Sequence, residues 1–161
     1  MDPIAQLADL LTKRGWLLAT AESCTGGLIA AACTERAGSS NWFERGFVSY
    51  SNASKTELLS VPVDLIAQHG AVSEPVARAM AQGAVTHSAA QVAVAVTGVA
   101  GPTGGSAVKP VGTVWFGYRV GTQVDTECRC FPGDRAEVRR ATVAHAVDGL
   151  LQRLQRPSTA P

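Results

Sequence analysis

The sequence predicts an α/β domain built on a mixed sheet of about five strands with helices on both faces. Three observations carry that reading. Helical and strand-like segments alternate along the chain, the run from Gln91 to Val96 is apolar on both faces as a central strand would be, and two strand ends open into glycine-containing turns.

Asp2-Pro3 supplies a helix cap followed by proline at the first helical position. Ile4, Leu7, Ala8, Leu10 and Leu11 then recur at helical spacing until Lys13-Arg14-Gly15 closes the segment. Trp16 to Thr20 is a short apolar run after that glycine and reads as a buried strand. It leads into Glu22-Ser23-Cys24-Thr25-Gly26-Gly27, and an alanine-rich helix is expected from Leu28 to Ala37, stopped by Gly38. Phe47 to Ser51 reads as the next strand. Asn52 or Ser54 can cap a short helix carrying Leu58 and Leu59, which Val61-Pro62 interrupts, and Val63 to Gln68 makes a further turn or two before His69-Gly70. Ser73 is placed to cap a helix from Glu74-Pro75 to about His87, with Val76, Met80 and Ala84 on its inner stripe. After the central strand, Thr97 to Ser106 must be a loop. Val111 to Val120 and Thr122 to Phe131 form an antiparallel pair around Gly121, and Asp134 caps a long helix to about Arg153. Residues 1–155 are therefore expected as one domain, and 156–161 as a frayed tail.

The chain has 161 residues, of which 46% are hydrophobic and 17% charged, enough for one core without disulfide staples. Fourteen Lys and Arg stand against thirteen Asp and Glu, so no basic excess provides for a run of phosphates. No stretch approaches the roughly 18 apolar residues of a membrane span, and the N-terminus lacks the order of a signal peptide. The expected location is the cytoplasm, with a small molecule rather than nucleic acid or membrane as the partner.

Open α/β sheets gather ligands at the carboxyl ends of their strands, and both glycine-containing turns lie at such ends. Ser23, Cys24 and Thr25 are expected at the start of a helix, where free N–H groups favour a phosphate or a developing oxyanion, although either hydroxyl could simply cap that helix. The second turn holds Gly98, Gly101, Gly104 and Gly105 and can approach a ligand closely. It is neither a P-loop nor a Rossmann fingerprint: Lys109 is followed by proline, and the G-x-G-x-x-G spacing is missing. A serine nucleophile needs a base. His69, His87 and His145 read as helix-terminal or surface residues, whereas Tyr50 and Lys55 flank a strand end that can face Ser23, and a desolvated lysine can lose its proton near neutral pH. Cys24 competes with Ser23, since a thiol at a helix N-terminus can be acidified. Cys128 and Cys130 are expected to serve packing rather than metal binding. Arg135, Arg139 and Arg140 at the start of the last helix suit phosphate or carboxylate contact, or a solvated helix face.

Ala21-Glu22-Ser23-Cys24-Thr25-Gly26-Gly27, Gly46-Phe47-Val48-Ser49-Tyr50-Ser51-Asn52 with Lys55, His69-Gly70-Ala71-Val72-Ser73-Glu74, Thr97-Gly98-Val99-Ala100-Gly101-Pro102 with Gly104-Gly105, Lys109-Pro110-Val111-Gly112-Thr113-Val114 and Phe131-Pro132-Gly133-Asp134-Arg135 with Val138-Arg139 strongly resemble the C-terminal domain of the CinA family. The resemblance runs from about residue 4 to 154, with the motifs in family order. It implies a three-layer α/β/α fold with a mostly parallel sheet, and a metal-free, cofactor-free amidase that converts nicotinamide mononucleotide to the nicotinate nucleotide and ammonia in pyridine-nucleotide recycling. Homodimers are common in that family. By resemblance, Ser23 is the nucleophile and Lys55 the base with Tyr50 assisting, and the helix N-terminus beside Ser23 is the oxyanion site. Cys24, Thr25, Gly26, Thr97, Gly98, Gly101, Gly104 and Gly105 line the nucleotide pocket, with Arg135 or Arg139 at the 5′-phosphate. The rival expectation is a non-catalytic nucleotide-binding or regulatory module tied to competence and DNA damage.

Overall fold

A computed structural model describes residues 1–157; within the expected tail, positions 158–161 lie outside the described residues. The chain runs α1 (Pro3–Arg14), β1 (Leu18–Glu22), α2 (Leu28–Thr34), a 3-10 turn (Ser39–Asn41), β2 (Phe43–Val48), α3 (Asn52–Leu59), α4 (Val63–His69), α5 (Glu74–Thr86), β3 (Val92–Gly98), β4 (Thr113–Val120), β5 (Gln123–Cys130) and α6 (Arg135–Gln155). The sheet order is β2-β1-β3-β4-β5, with β1 parallel to β2 and β3, and β4 antiparallel to both of its neighbours. Four of the five strands thus point the same way. Helices α1, α2 and α6 cover one face and α3, α4 and α5 the other, giving the expected three layers.

The alternation in β3 assigns each face its spacing. Val92, Val94 and Val96 enter the core beneath α1 and α6, while Ala93 and Ala95 point at α5. Small residues on that second face bring helix and sheet into backbone contact, as a Cβ on Gly117 of β4 would collide with the Ala77 carbonyl of α5. Gly83 does the same between α5 and α3, where a Cβ would strike the Leu59 carbonyl. The other layer seals itself around a polar group: Arg153 of α6 stacks 3.6 Å from the Tyr118 ring centre and is clamped by both Asp125 carboxylate oxygens. Gly149 is required there because a Cβ would overlap the Tyr118 phenol.

Helix ends follow the sequence closely at α1 and α6. Asp2 Oδ1 accepts from Ala5 N–H at 2.9 Å, and Asp134 and Glu137 form a reciprocal capping box. Several boundaries and caps differ from expectation. Strand β1 starts at Leu18, because Leu17 and Trp16 lie outside the ladder, and it extends to Glu22. Strand β2 begins at Phe43 and ends at Val48, paired in parallel with Leu18–Glu22; as an edge strand it carries the polar Glu44 and Arg45, which masks its pattern in the sequence. Helix α2 ends at Thr34, and the chain then turns to bury Trp42. Finally, Ser51 rather than Asn52 or Ser54 caps α3, accepting from Ser54 N–H at 3.0 Å, whereas Ser73 leaves α5 uncapped and donates instead to the Gly70 carbonyl at 2.7 Å.

Gly117→Ala is expected to destabilise the domain by about 3 kcal/mol through forced separation of α5 from the sheet. Equilibrium urea unfolding measures it; a midpoint matching that of the unsubstituted chain would refute the close-approach reading.

Candidate active site

Two strand ends and one helix N-terminus build the site. Strand β1 delivers Glu22 and then Ser23, whose N–H donates to the Val96 carbonyl of β3 at 3.1 Å. The chain next turns back through Gly26 (φ +58°) and Gly27 (φ +108°), left-handed conformations that glycine adopts without steric cost. Beside it, β2 ends at Val48 and releases Ser49 and Tyr50 toward the same edge, after which Ser51 starts α3 and Lys55 points back under the turn.

Lys55 Nζ lies 3.1 Å from Ser23 Oγ, 3.0 Å from the Ser49 carbonyl and 2.9 Å from the Tyr50 carbonyl. Three acceptors match the three protons of an ammonium group. When the amine is neutral, two N–H groups still satisfy the carbonyls and the lone pair faces Ser23. The side chain is 1% exposed and forms no ion pair among the described residues. Burial therefore lowers its pKa below the ordinary lysine value, partly opposed by the Cys24 thiol. Ser23 Oγ is also 3.4 Å from the Tyr50 carbonyl, so the hydroxyl is held between the amine and a backbone acceptor.

The remaining expected residues separate into distinct places. Cys24 is packed in the core beneath α6, and burial pushes its thiol up to about 11. It does not sit at a helix N-terminus, because α2 begins only at Leu28. Thr25 is fully buried, and its hydroxyl donates to Glu22 Oε1 at 2.5 Å. Tyr50 serves the pair through its carbonyl; its ring is exposed, and the phenol oxygen accepts from Arg135 Nη2 at 3.5 Å. Arg139 turns inward, donating to the Cys24 carbonyl at 3.1 Å and the Thr25 carbonyl at 3.3 Å, against the exposed Gly26. Arg135 stays at the surface and holds the Gly101 carbonyl at 2.9 Å. Within the second turn, Thr97 donates to the Ala71 carbonyl at 2.9 Å, and Gly98 and Gly101 are packed against β4 and Val111. Gly104 and Gly105 are exposed. Cys128 and Cys130, expected to pack, are exposed on the edge strand β5.

Two groups had no assigned role in the sequence. Ser49 is fully buried and supplies a carbonyl to Lys55; only its place inside a dense motif hinted at this, because a backbone acceptor leaves no side-chain signature. Glu22 occupies the expected oxyanion position. Its carboxylate accepts from Ile29 N–H at 2.8 Å and Ala30 N–H at 3.0 Å, so the N-terminus of α2 is filled by the protein's own anion. The acidic residue ahead of a helix was the available clue. Among the described residues, no three His, Cys, Asp or Glu side chains are grouped to hold a metal ion, and no helix is long and apolar enough to cross a membrane.

The family model described as the CinA C-terminal domain matches residues 2–154. A nicotinamide-nucleotide amidohydrolase PncC of Pseudomonas putida is 56% identical over 156 residues, covering 94% of this chain and 98% of that protein. The protein of the same name from Escherichia coli K12 is 51% identical over 148 residues, covering 91% and 90%. Among solved structures, the competence damage-inducible protein A from Klebsiella pneumoniae superposes with a TM-score of 0.93 at 38% identity, covering 97% of each chain.

The burial pattern of the thiols predicts their reactivity. Alkylation of the native protein at pH 8 is expected to modify Cys128 and Cys130 and to spare Cys24 and Cys33, which react only after unfolding; intact-mass measurement distinguishes the outcomes, and rapid native labelling of Cys24 would contradict the geometry.

Proposed function

The chain belongs to the CinA C-terminal domain family, and on that premise we propose that it hydrolyses the carboxamide of nicotinamide mononucleotide to nicotinate mononucleotide and ammonia, with Ser23 as nucleophile and Lys55 as base. The observation that carries the mechanism is the buried amine, without a counter-ion among the described residues, 3.1 Å from the serine hydroxyl. The names of the Pseudomonas and Escherichia relatives support the substrate.

Neutral Lys55 takes the hydroxyl proton as Ser23 Oγ bonds to the carboxamide carbon. The Ser49 and Tyr50 carbonyls fix the amine during this transfer and stabilise the ammonium that forms. Lys55 then returns the proton to the departing nitrogen, the C–N bond breaks, ammonia leaves, and an acyl ester remains on Ser23. A water molecule gives a proton to the same amine as its oxygen bonds to the acyl carbon; the ester C–O bond breaks, Lys55 returns that proton to Ser23 Oγ, and the acid product ionises to the carboxylate. With the α2 N-terminus filled by Glu22, the role of oxyanion donor falls to the backbone N–H groups of Cys24 and Thr25. Arg135, exposed beside Tyr50 and the glycine loop, is the better placed of the two arginines for the 5′-phosphate, since Arg139 is engaged with the nucleophile turn. The same reading puts the protein in pyridine-nucleotide recycling, as a cytoplasmic homodimer.

Purified protein is expected to release ammonia from nicotinamide mononucleotide with a chelator present, and Ser23→Ala and Lys55→Met to lose on the order of 10⁴-fold in rate with the fold retained. Cys24→Ala, which removes a buried thiol, keeps turnover; the reverse result for Cys24 and Ser23 would move the nucleophile. Binding of the nucleotide without any turnover would instead favour the regulatory-module reading.

The protonated lysine is inactive as a base, so kcat/KM is expected to rise with pH along a limb governed by Lys55 and displaced below the ordinary lysine value of 10.5. Lys55→Arg, whose guanidinium stays protonated, removes both the limb and the rate. A limb unmoved by substitution at Lys55 would assign the base elsewhere.

A further inference from the structure

We propose that Glu22 is a positioning residue that holds the nucleophile and its base in register, a role that rests on the serine-lysine reading above and goes beyond it.

The residue stands at the junction of the two halves of the site. Its carboxylate is 1% exposed and forms no ion pair among the described residues. Burial of that kind is costly unless hydrogen bonds replace the lost water. Three do so: Oε1 accepts from Thr25 Oγ1 at 2.5 Å and Ile29 N–H at 2.8 Å, and Oε2 accepts from Ala30 N–H at 3.0 Å. Helix α2 needs them, because its cap position is Gly27, which has no side chain to offer. One carboxylate thereby closes the loop from residue 22 to residue 30 around Ser23, tying the turn both to its own hydroxyl at Thr25 and to the helix that follows.

The backbone of the same residue serves the other half. Glu22 O accepts from Ser49 N–H at 2.9 Å and lies 3.4 Å from Ser49 Oγ, and the Ser49 carbonyl in turn holds Lys55 Nζ at 3.0 Å. Glu22 is thus linked to Ser23 through the turn and to Lys55 through Ser49, so that the 3.1 Å contact between the pair depends on its placement from both sides. Substrate binding at Arg135 and the glycine loop is built on other elements. Loss of the Glu22 anchor should therefore fall on kcat and leave KM near its starting value.

Thr25 allows this link to be cut without removing the buried carboxylate. Thr25→Val deletes the donor to Oε1 and keeps the helix cap, Thr25→Ser restores the hydroxyl, and Glu22→Gln turns an amide N–H₂ against one of the N–H donors of α2. The readouts are steady-state hydrolysis of nicotinamide mononucleotide, melting temperature, and the rate at which an alkyl phosphonofluoridate labels Ser23. Labelling forms the Oγ–P bond, sends the serine proton to Lys55 and expels fluoride, so it reports the pair without the amide substrate. Thr25→Val is expected to lower kcat by about 10²-fold at constant KM and to slow labelling by a similar factor, with Thr25→Ser recovering most of both. If Glu22→Gln fails to fold, the Thr25 pair still decides the question. Turnover and labelling by Thr25→Val within twofold of the unsubstituted protein, a loss confined to KM, or a loss that Thr25→Ser does not repair would overturn the proposal. A protein that never hydrolyses the nucleotide, yet shows the same labelling pattern, would refute the amidase reading and leave the positioning role standing.

Discussion

A lysine amine buried without a counter-ion among the described residues is the constraint around which this fold is arranged. Removing an ammonium group from water is tolerable only if every proton finds an acceptor or if the group gives one up. Here the two backbone carbonyls that follow β2 supply permanent acceptors, and the third direction is left to a serine hydroxyl. The same desolvation destabilises the charged amine and lowers its pKa, which is the condition the proposed base requires. Three elements must meet within hydrogen-bonding distance to achieve this, and the parallel pairing of β1 with β2 brings two of them to one edge in register, Glu22 opposite Val48.

The electrostatics of the turn after β1 are arranged from within. The N-terminus of α2, an evident anion site, is filled by the Glu22 carboxylate, while the carbonyls of Cys24 and Thr25, pointing the other way, are met by Arg139 from α6. Carboxylate on N–H and guanidinium on C=O pin the same short segment from opposite sides. The turn between them has positive φ at both glycines and little regular hydrogen bonding of its own, so these side chains replace the ladder that a strand or helix would provide. Arg135, one helical turn earlier on α6, is left at the surface beside the Tyr50 phenol and the Gly101 carbonyl, where a ligand can reach it.

Packing supports the site from below. The alanine and glycine face of the sheet lets α5 sit in backbone contact with β4 and α3, and α3 carries Lys55. A larger residue at Gly83 would push against Leu59, the last residue of the helix that carries Lys55. The opposite layer is fixed by larger groups, with Arg153 folded over Tyr118 and bound to Asp125, so the two faces of one sheet use different means to exclude water.

The sequence by itself determined the elements whose signals are local. Asp2-Pro3 and Gly15 bound α1, Asp134 begins α6, the Val-Ala alternation marks β3 as central, and Gly121 divides the last hairpin, because caps, turns and periodicity act between near neighbours. It also placed Lys55 and Tyr50 at a strand end able to face Ser23, with the pairing of Ser23 and Lys55 implied by the family resemblance. What it left open depended on distance in the chain. The edge strand β2 hid its pattern because solvent covers part of it, and the carbonyls of Ser49 and Tyr50 had no side-chain chemistry to announce them. The side chains of Cys24 and Thr25 face the core beneath α6 and the Glu22 carboxylate, partners that lie too far along the chain or too deep in the fold for spacing to reveal. Only the tertiary structure could decide whether a helix N-terminus was vacant, since that depends on which carboxylate the folded chain brings there first.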